Sequence, residues 1–180
     1  MRNSTTPINA LIVIPFAGTP APIVRMLAED LAKRGMRVRV RQPILLPEGA
    51  YEPDRGQYRA DALLSLACAQ RDGHVLGLTH RDLFARGLNF VFGIAEMPGR
   101  ACIVSSARLS DRTSERTLRM RLIKEAVHEL GHTLGLAHCK DPLCVMHFSN
   151  SLADTDLKSD GYCDRCLARL ACSRDTLQTG

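Results

Sequence analysis

The twelve residues that begin at His128 constrain the fold of this chain more than any other stretch. They read HELGHTLGLAHC. His128 and His132 are four residues apart and therefore lie above one another on one face of a helix. A helix cannot carry His138 over the same point without a sharp turn, and Gly135 provides one, because glycine adopts the left-handed conformation at little steric cost. The pattern predicts a helix that ends near Gly135 and three imidazoles that converge on one point.

Three converging imidazoles with a carboxylate beside them form the donor set that a catalytic zinc requires. Such a zinc has three protein ligands and one water, and it lowers the pKa of that water to about 7. Glu129 lies between the first two histidines in sequence and is the candidate general base. The predicted ligands are His128, His132 and His138. The alternative, a polar helix end with solvated histidines, requires that half of the chain's six histidines fall on ligand spacing by chance.

Four cysteines follow the third histidine in two close groups. Cys139 and Cys144 form the first group, and Cys163 and Cys166 form a C-x-x-C pair, which lets two thiolates reach one metal ion from a single turn. Two such groups indicate a tetrahedral four-thiolate zinc site. A set of buried thiols without a metal is the alternative.

The histidines, the cysteines and Met146 together resemble the archaemetzincins, a family of zinc metallopeptidases of the metzincin clan. The resemblance implies two zinc ions, one catalytic and one structural. It assigns the catalytic zinc to His128, His132 and His138, and the structural zinc to Cys139, Cys144, Cys163 and Cys166. It also implies that Met146 packs beneath the ligand imidazoles.

The pattern of apolar residues predicts an α/β fold. Continuous or alternating apolar runs predict strands at 10–14, 36–41, 74–79, 88–95 and 100–106. Helical periodicity predicts helices at 22–33 and 58–71, a long active-site helix that begins between 111 and 114, and a short helix at 167–172. Residues 43–56 and 149–161 are expected to be loops. With the resemblance, this order implies a metzincin-like, mixed and twisted sheet, an active-site helix and a small C-terminal subdomain stapled by zinc.

We expect residues 1–180 to form a single metzincin-like catalytic domain. Its N-terminal part, 1–135, would hold the sheet and the helices. Its C-terminal part, 136–180, would hold the four-cysteine zinc site.

Two further features bear on the cleft. In the resembled family the antiparallel fourth strand borders the active site, and an extended peptide adds to it. Here that strand would be 89–95, where Gly93 and Ala95 are small enough to admit a second backbone, although an ordinary edge strand is the alternative. Glu125 stands one turn before His128 and is either an acceptor for a ligand imidazole or a solvated helix acid.

Composition argues against several classes of partner. The formal charge is +5, but Arg and Lys are scattered, and the chain has no Trp, three Tyr and five Phe. Both facts argue against a nucleic-acid surface. No stretch approaches the roughly 20 apolar residues of a membrane helix, and the short apolar run at 10–17 is better interpreted as a strand than as a signal peptide. Because the ligand cysteines must stay reduced until metal binds, we favour a cytoplasmic protein, and we expect a monomer.

We therefore predict a zinc-dependent metallopeptidase that hydrolyses peptide bonds with a zinc-bound water and Glu129 as general base. The sequence has no Tyr near Met146 to act as a further oxyanion donor, and His147 is the candidate for that role. The alternative is a zinc-stabilised module that binds protein or nucleic acid with little or no peptidase activity. Such a module has no need for the carboxylate of Glu129.

Overall fold

The computed structural model describes residues 7–70, 73–111 and 113–178, with side chains described as far as 172. In chain order its elements are β1 (Ala10–Pro15), α1 (Ala21–Lys33), β2 (Arg37–Val40), β3 (Tyr51–Glu52), β4 (Gln57–Arg59), α2 (Ala60–Cys68), β5 (His74–Thr79), β6 (Leu83–Phe84), β7 (Gly93–Ala95), β8 (Ala101–Ser105), α3 (Glu115–Thr133), α4 (Leu152–Leu157) and α5 (Asp164–Gln178). A single 3-10 turn, Arg108–Ser110, precedes α3.

A five-stranded sheet in the order β2-β1-β5-β8-β7 forms the frame of the molecule. The first four of these strands are parallel, and β7 pairs antiparallel with β8 at the edge. Strands β1, β5 and β8 are buried along almost their whole length, as their continuous apolar runs require. Helices α1 and α3 pack on one face of the sheet and α2 packs on the other. The predicted mixed α/β fold is confirmed.

The long buried strands and helices α1 and α3 match the prediction, whereas the short elements do not. The predicted helix at 58–71 is confirmed only from Ala60 to Cys68, because residues 57–59 form β4. The predicted loop at 43–56 contains β3, the predicted loop at 149–161 contains α4, and the expected strand at 88–95 is regular only from Gly93 to Ala95. Helix α5 also begins earlier and extends further than the predicted 167–172. Strands of two or three residues are too short to show a periodic pattern. Distant segments of the chain decide how they pair.

A small second sheet, in the order β3-β4-β6, supports one rim of the cleft that is described below. Arg55, in the turn between β3 and β4, donates hydrogen bonds to the carbonyl oxygens of Leu88 and Asn89 at 3.2 and 2.9 Å. The buried amide of Gln57 donates to the carbonyl of Asn89 at 3.1 Å. The segment before β7 is therefore held by side chains some 30 residues away in sequence.

Helix α3 carries the first part of the histidine motif into the middle of the molecule. Ser114 caps its start, since its hydroxyl oxygen accepts a hydrogen bond from the N–H of Thr117 at 3.2 Å. The helix ends where Gly135 takes a φ of +85° and donates its N–H to the carbonyl of His132 at 2.9 Å. The predicted start and the predicted glycine turn are both present. Among the described residues, no helix has the length and apolar character that crossing a membrane requires.

Candidate active site

The three motif histidines converge as their spacing predicts. His128 and His132 project from the last turns of α3, and His138 returns to them after the turn at Gly135. The Nε2 atoms of His128 and His132 lie 3.1 Å apart, and one ring nitrogen from each of the three histidines lies within 4.8 Å of the others. Zinc–nitrogen bonds of about 2.0–2.1 Å in a tetrahedral site place two nitrogens about 3.3 Å apart. The cluster therefore fits one zinc ion.

Backbone carbonyls fix which nitrogen of two rings faces the centre. Nδ1 of His128 donates to the carbonyl of Val145 at 2.8 Å, and Nδ1 of His132 donates to the carbonyl of Leu136 at 2.7 Å. Their Nε2 atoms then carry lone pairs toward each other. Burial lowers the pKa of each of the three imidazoles, so all three are neutral near pH 7, as metal ligands must be.

Glu129 faces the same space as the histidines. A cavity of about 510 Å³ is lined by Glu129 and the three imidazoles. The Glu129 carboxyl is buried against Gly93 of β7, and a Cβ atom built on Gly93 would lie 2.8 Å from its Oε1. Burial, and secondarily the charge of Glu125, raises the pKa of Glu129 well above the ordinary value of a glutamate. The carboxylate therefore takes up a proton more readily than a solvated one.

Strand β7 and the segment before it form one wall of this cleft, and residues 148–150 form another wall. The ring of Phe148 packs on that of His138, with 4.8 Å between their centroids. Helix α4, which follows this wall, is fixed to α3 by two cations. Arg121 pairs with Asp156 at 2.6 Å, and Lys124 donates to the carbonyls of Thr155 and Asp156 at 2.9 Å each.

Met146 packs against the last turns of α3, next to the residue that precedes His132. A Cβ atom on Gly131, one residue before His132, would collide with the sulfur of Met146 and lie 3.2 Å from Cε1 of Tyr162. The hydroxyl of Tyr162 donates to the carbonyl of Val127 at 3.1 Å. The methionine and the tyrosine thus pack against the last turns of α3, and a larger residue at position 131 would require the side chain of Met146 to shift.

The four cysteines of the two predicted groups form a second cluster, close to the first in sequence but separate from it. Their sulfur atoms lie within 4.8 Å of one another, with Cys139 to Cys163 at 3.7 Å and Cys144 to Cys166 at 3.8 Å. Zinc–sulfur bonds of about 2.3 Å in a tetrahedron place two sulfurs about 3.8 Å apart. This cluster also fits one zinc ion, and it joins the loop after α3 to the start of α5.

Glu125 matches neither of the two roles that its position suggested. Its carboxylate accepts hydrogen bonds from Nζ of Lys158 at 2.9 Å and from Oγ1 of Thr155 at 3.2 Å, and both charged side chains are buried. Lys158 also donates to the carbonyl of His147 at 3.4 Å. Sequence reasoning missed Lys158, because lysine is rarely buried and nothing in the local pattern marks this one.

His147 does not face the cleft. Its Nδ1 bonds to the carbonyl of Cys139 at 2.9 Å, and the residue is not among those that line the cavity. Its geometry therefore offers no support for a role as an oxyanion donor.

Comparison with known proteins finds relatives over most of the chain. The sequence model of Peptidase family M54 matches residues 24–172. An archaemetzincin of Methanopyrus kandleri is 54% identical over 123 residues, which cover 67% of this chain and 70% of that protein. An archaemetzincin of Pyrococcus furiosus is 40% identical over 177 residues, which cover 90% and 92%.

Solved structures agree with the sequence relatives. The crystal structure of an archaemetzincin from Methanopyrus kandleri superposes with a TM-score of 0.83 at 42% identity, over 97% of this chain and 98% of that one. An archaemetzincin from Archaeoglobus fulgidus, solved in complex with malonate, superposes with a TM-score of 0.82 at 35% identity, over 89% and 99%.

Proposed function

This chain belongs to peptidase family M54, the archaemetzincins, and is a zinc metallopeptidase; on that premise we propose that Glu129 is the general base of its peptide-bond hydrolysis. We further propose that the catalytic zinc binds to His128, His132 and His138. The observation that carries the proposal is the shared cavity, in which the carboxyl group of Glu129 and the three neutral imidazoles meet. A zinc ion bound there supplies a Lewis acid that acidifies water and polarises a carbonyl group.

The free edge of β7 is the proposed binding surface for the substrate backbone. In an antiparallel pair, alternate residues exchange hydrogen bonds with the partner strand. The Phe92 carbonyl accepts from the N–H of Ser105 at 2.8 Å, and the Glu96 N–H donates to the carbonyl of Ala101 at 3.0 Å. Even-numbered residues therefore bond to β8, and the backbone groups of Gly93 and Ala95 point to the free edge.

This free edge is short, because Val91 already donates its N–H to the carbonyl of Leu83 at 3.0 Å. An extended peptide that pairs with Gly93 and Ala95 lies directly beside the Glu129 carboxylate. The small side chains at these positions let the peptide backbone approach the strand closely.

Glu129 performs the proton transfers in this proposal. Its carboxylate accepts a proton from the attacking water and then delivers that proton to the leaving amine, so that the peptide C–N bond breaks without releasing an amide anion. The raised pKa of Glu129 favours the first step, in which the carboxylate takes up the proton and holds it. The Nδ1–H bonds of His128 and His132 to backbone carbonyls keep the imidazoles oriented meanwhile.

We also propose a second, structural zinc on the four cysteines, within one catalytic domain that spans residues 1–180. Four thiolates complete a tetrahedral ion and leave no position for substrate. The role of this ion is to hold the loop that contains Met146 and Val145, whose carbonyl orients His128.

A screen of peptide pools with and without a chelator tests the proposed function, with the variant Glu129→Gln beside the parent. Glutamine keeps the size of the side chain but accepts no proton at neutral pH, so turnover should fall about a hundredfold to ten-thousandfold while zinc content stays unchanged. Glu115→Gln, in the exposed first turn of the same helix, is the matched control and should retain turnover. If Glu129→Gln turned over peptides like the parent, the base assignment would fail. If the parent itself turned over no peptide in the screen, the interaction-module alternative would gain.

A further inference from the structure

The cleft beside Glu129 leaves large apolar side chains open to solvent. Leu88 is 43% exposed, Met97 is 53% exposed and Phe148 is 40% exposed, and all three line the cavity that contains the catalytic groups. Apolar side chains gathered in a concave site, rather than scattered over a surface, mark a place where apolar ligand groups bind. Because the catalytic groups share this cavity, the occupant is the peptide substrate.

Charged partners are scarce on the walls of the cleft. Over residues 7–70, 73–111 and 113–172, the lining includes no Lys, Arg or Asp, and its two carboxylates belong to Glu125 and Glu129. Glu125 is already paired with the buried Lys158. Arg55 lies behind the rim, with its guanidinium 4.3 Å from the centroid of the Phe84 ring. A charged substrate side chain in this cleft would lose water and find no partner, which is costly.

The apolar side chains flank the site of reaction on both sides. Met97 follows β7 and Leu88 precedes it, while Gly93 and Glu129 meet between them. Antiparallel pairing is the more stable mode for an added strand. A peptide that pairs in this way with Gly93 and Ala95 runs from Met97 toward Leu88. Residues before the cleaved bond then lie near Met97, and residues after it lie near Leu88.

We propose that the substrates of this enzyme are peptides with a large apolar side chain on each side of the cleaved bond, selected by Met97 on the N-terminal side and by Leu88 on the C-terminal side. This inference rests on the proposed function, since it places the substrate in the same cleft. Phe148, which lines the same cleft beside His138, contacts either side chain. Burial of one such side chain strengthens binding about tenfold to a hundredfold over serine at the same position.

Peptide binding to the zinc-loaded Glu129→Gln protein tests the selection without turnover. The probes are four fluorescent peptides of one length, with Leu on both sides of the central bond, with Ser on one side or the other, or with Lys on both sides. Fluorescence anisotropy gives the affinity of each peptide. The Leu–Leu peptide should bind at least about tenfold more tightly than either Ser peptide, and the Lys–Lys peptide should bind most weakly.

Two variants in the same background assign the two sides. Met97→Ser should abolish the preference for Leu on the N-terminal side only, and Leu88→Ser should abolish it on the C-terminal side only. Leu45→Ser is the matched control, because Leu45 is 81% exposed and does not line the cleft. Unfolding temperatures show whether each variant is folded.

The outcomes separate this inference from the proposed function. Equal affinity for the four peptides, or the same loss with Leu45→Ser, would overturn the inference. If Met97→Ser abolished the preference on the C-terminal side and Leu88→Ser abolished it on the N-terminal side, the assigned direction of the bound peptide would be overturned. If the protein bound the peptides selectively but the parent hydrolysed none of them, the proposed function would be refuted and the inferred selection would stand. If the parent hydrolysed peptides without selection, the inference would be refuted and the proposed function would stand.

Discussion

Gly93 and Glu129 are packed so closely that no side chain fits between them. A Cβ atom at position 93 would lie 2.7 Å from Cγ and 2.8 Å from Oε1 of Glu129, and 2.5 Å from the carbonyl oxygen of Ile103. The strand that receives the substrate in our proposal is therefore in direct contact with the proposed base. Because position 93 has no Cβ methyl group, the Glu129 carboxylate can lie directly against the strand that holds the peptide in our proposal.

Gly93→Ala should lower turnover about a hundredfold with little loss of zinc, because the added methyl displaces the Glu129 carboxylate, and a shift of about 1 Å at a reacting group has an effect of that size. Kinetic assays together with metal analysis measure both effects. Ala95→Gly removes a methyl from the same strand and should leave turnover within a few-fold of the parent. Full activity in Gly93→Ala would show that the contact has no bearing on catalysis.

The histidine motif could be predicted from the sequence because its geometry is local. The helical repeat sets the distance from His128 to His132, and the φ of Gly135 sets the return of His138. The buried strands β1, β5 and β8 could be predicted from the sequence equally well, since each is a continuous apolar run. In both cases the residues within one short segment decide the outcome.

Contacts between distant segments could not be predicted in this way. Lys158 forms an ion pair with Glu125, which is 33 residues away in sequence. Arg55 donates a hydrogen bond to the carbonyl of Leu88, which is equally far away in sequence. Helix α4 is only six residues long and is held by Arg121 and Lys124 rather than by its own periodicity. Each of these features depends on the packed fold, so no local pattern indicates it.

Metal analysis by mass spectrometry should find two zinc ions per chain, because the histidine and cysteine clusters are separate and each has the donor spacing of one ion. His132→Ala should leave close to one, since a two-histidine remnant binds zinc weakly whereas the four cysteines are unaffected. His80→Ala is the control, because His80 bonds to Ser106 outside both clusters, and it should retain two ions. One zinc in the parent, or none in His132→Ala, would contradict the two-site assignment.

Cys163→Ser should lower the unfolding temperature more than His138→Ala does. A structural zinc contributes its binding free energy to folding, on the order of 10 kcal/mol in small zinc domains. The cysteine cluster ties the loop after α3 to α5. His138 instead joins that loop to His128 and His132, which lie on a helix that is already packed by its leucines. Thermal melts of both variants, with Cys172→Ser outside the cluster as control, measure the difference. A larger loss for His138→Ala would be evidence against a structural role for the cysteines.

The buried pair of Lys158 and Glu125 joins the end of α4 to the active-site helix. Both side chains are at most 4% exposed, and Lys158 reaches the carbonyl of His147 as well. Its ammonium thus links α3 to the chain that follows Met146. Buried ion pairs contribute little net stability compared with apolar residues, but breaking one leaves a buried charge without a partner.

Lys158→Met should therefore destabilise the zinc-loaded protein by about 3–5 kcal/mol, because the carboxylate of Glu125 stays buried and unpaired. The double variant Lys158→Met/Glu125→Gln should recover most of this loss, since the amide is neutral and its oxygen still accepts the hydrogen bond of Thr155. Urea unfolding measures both free energies. Lys33→Met is the control: its pair with Asp30 is at the surface, with the lysine side chain 69% exposed, and its loss should cost less than about 1 kcal/mol. A double variant whose loss equals or exceeds that of Lys158→Met would show that the two charges are not coupled.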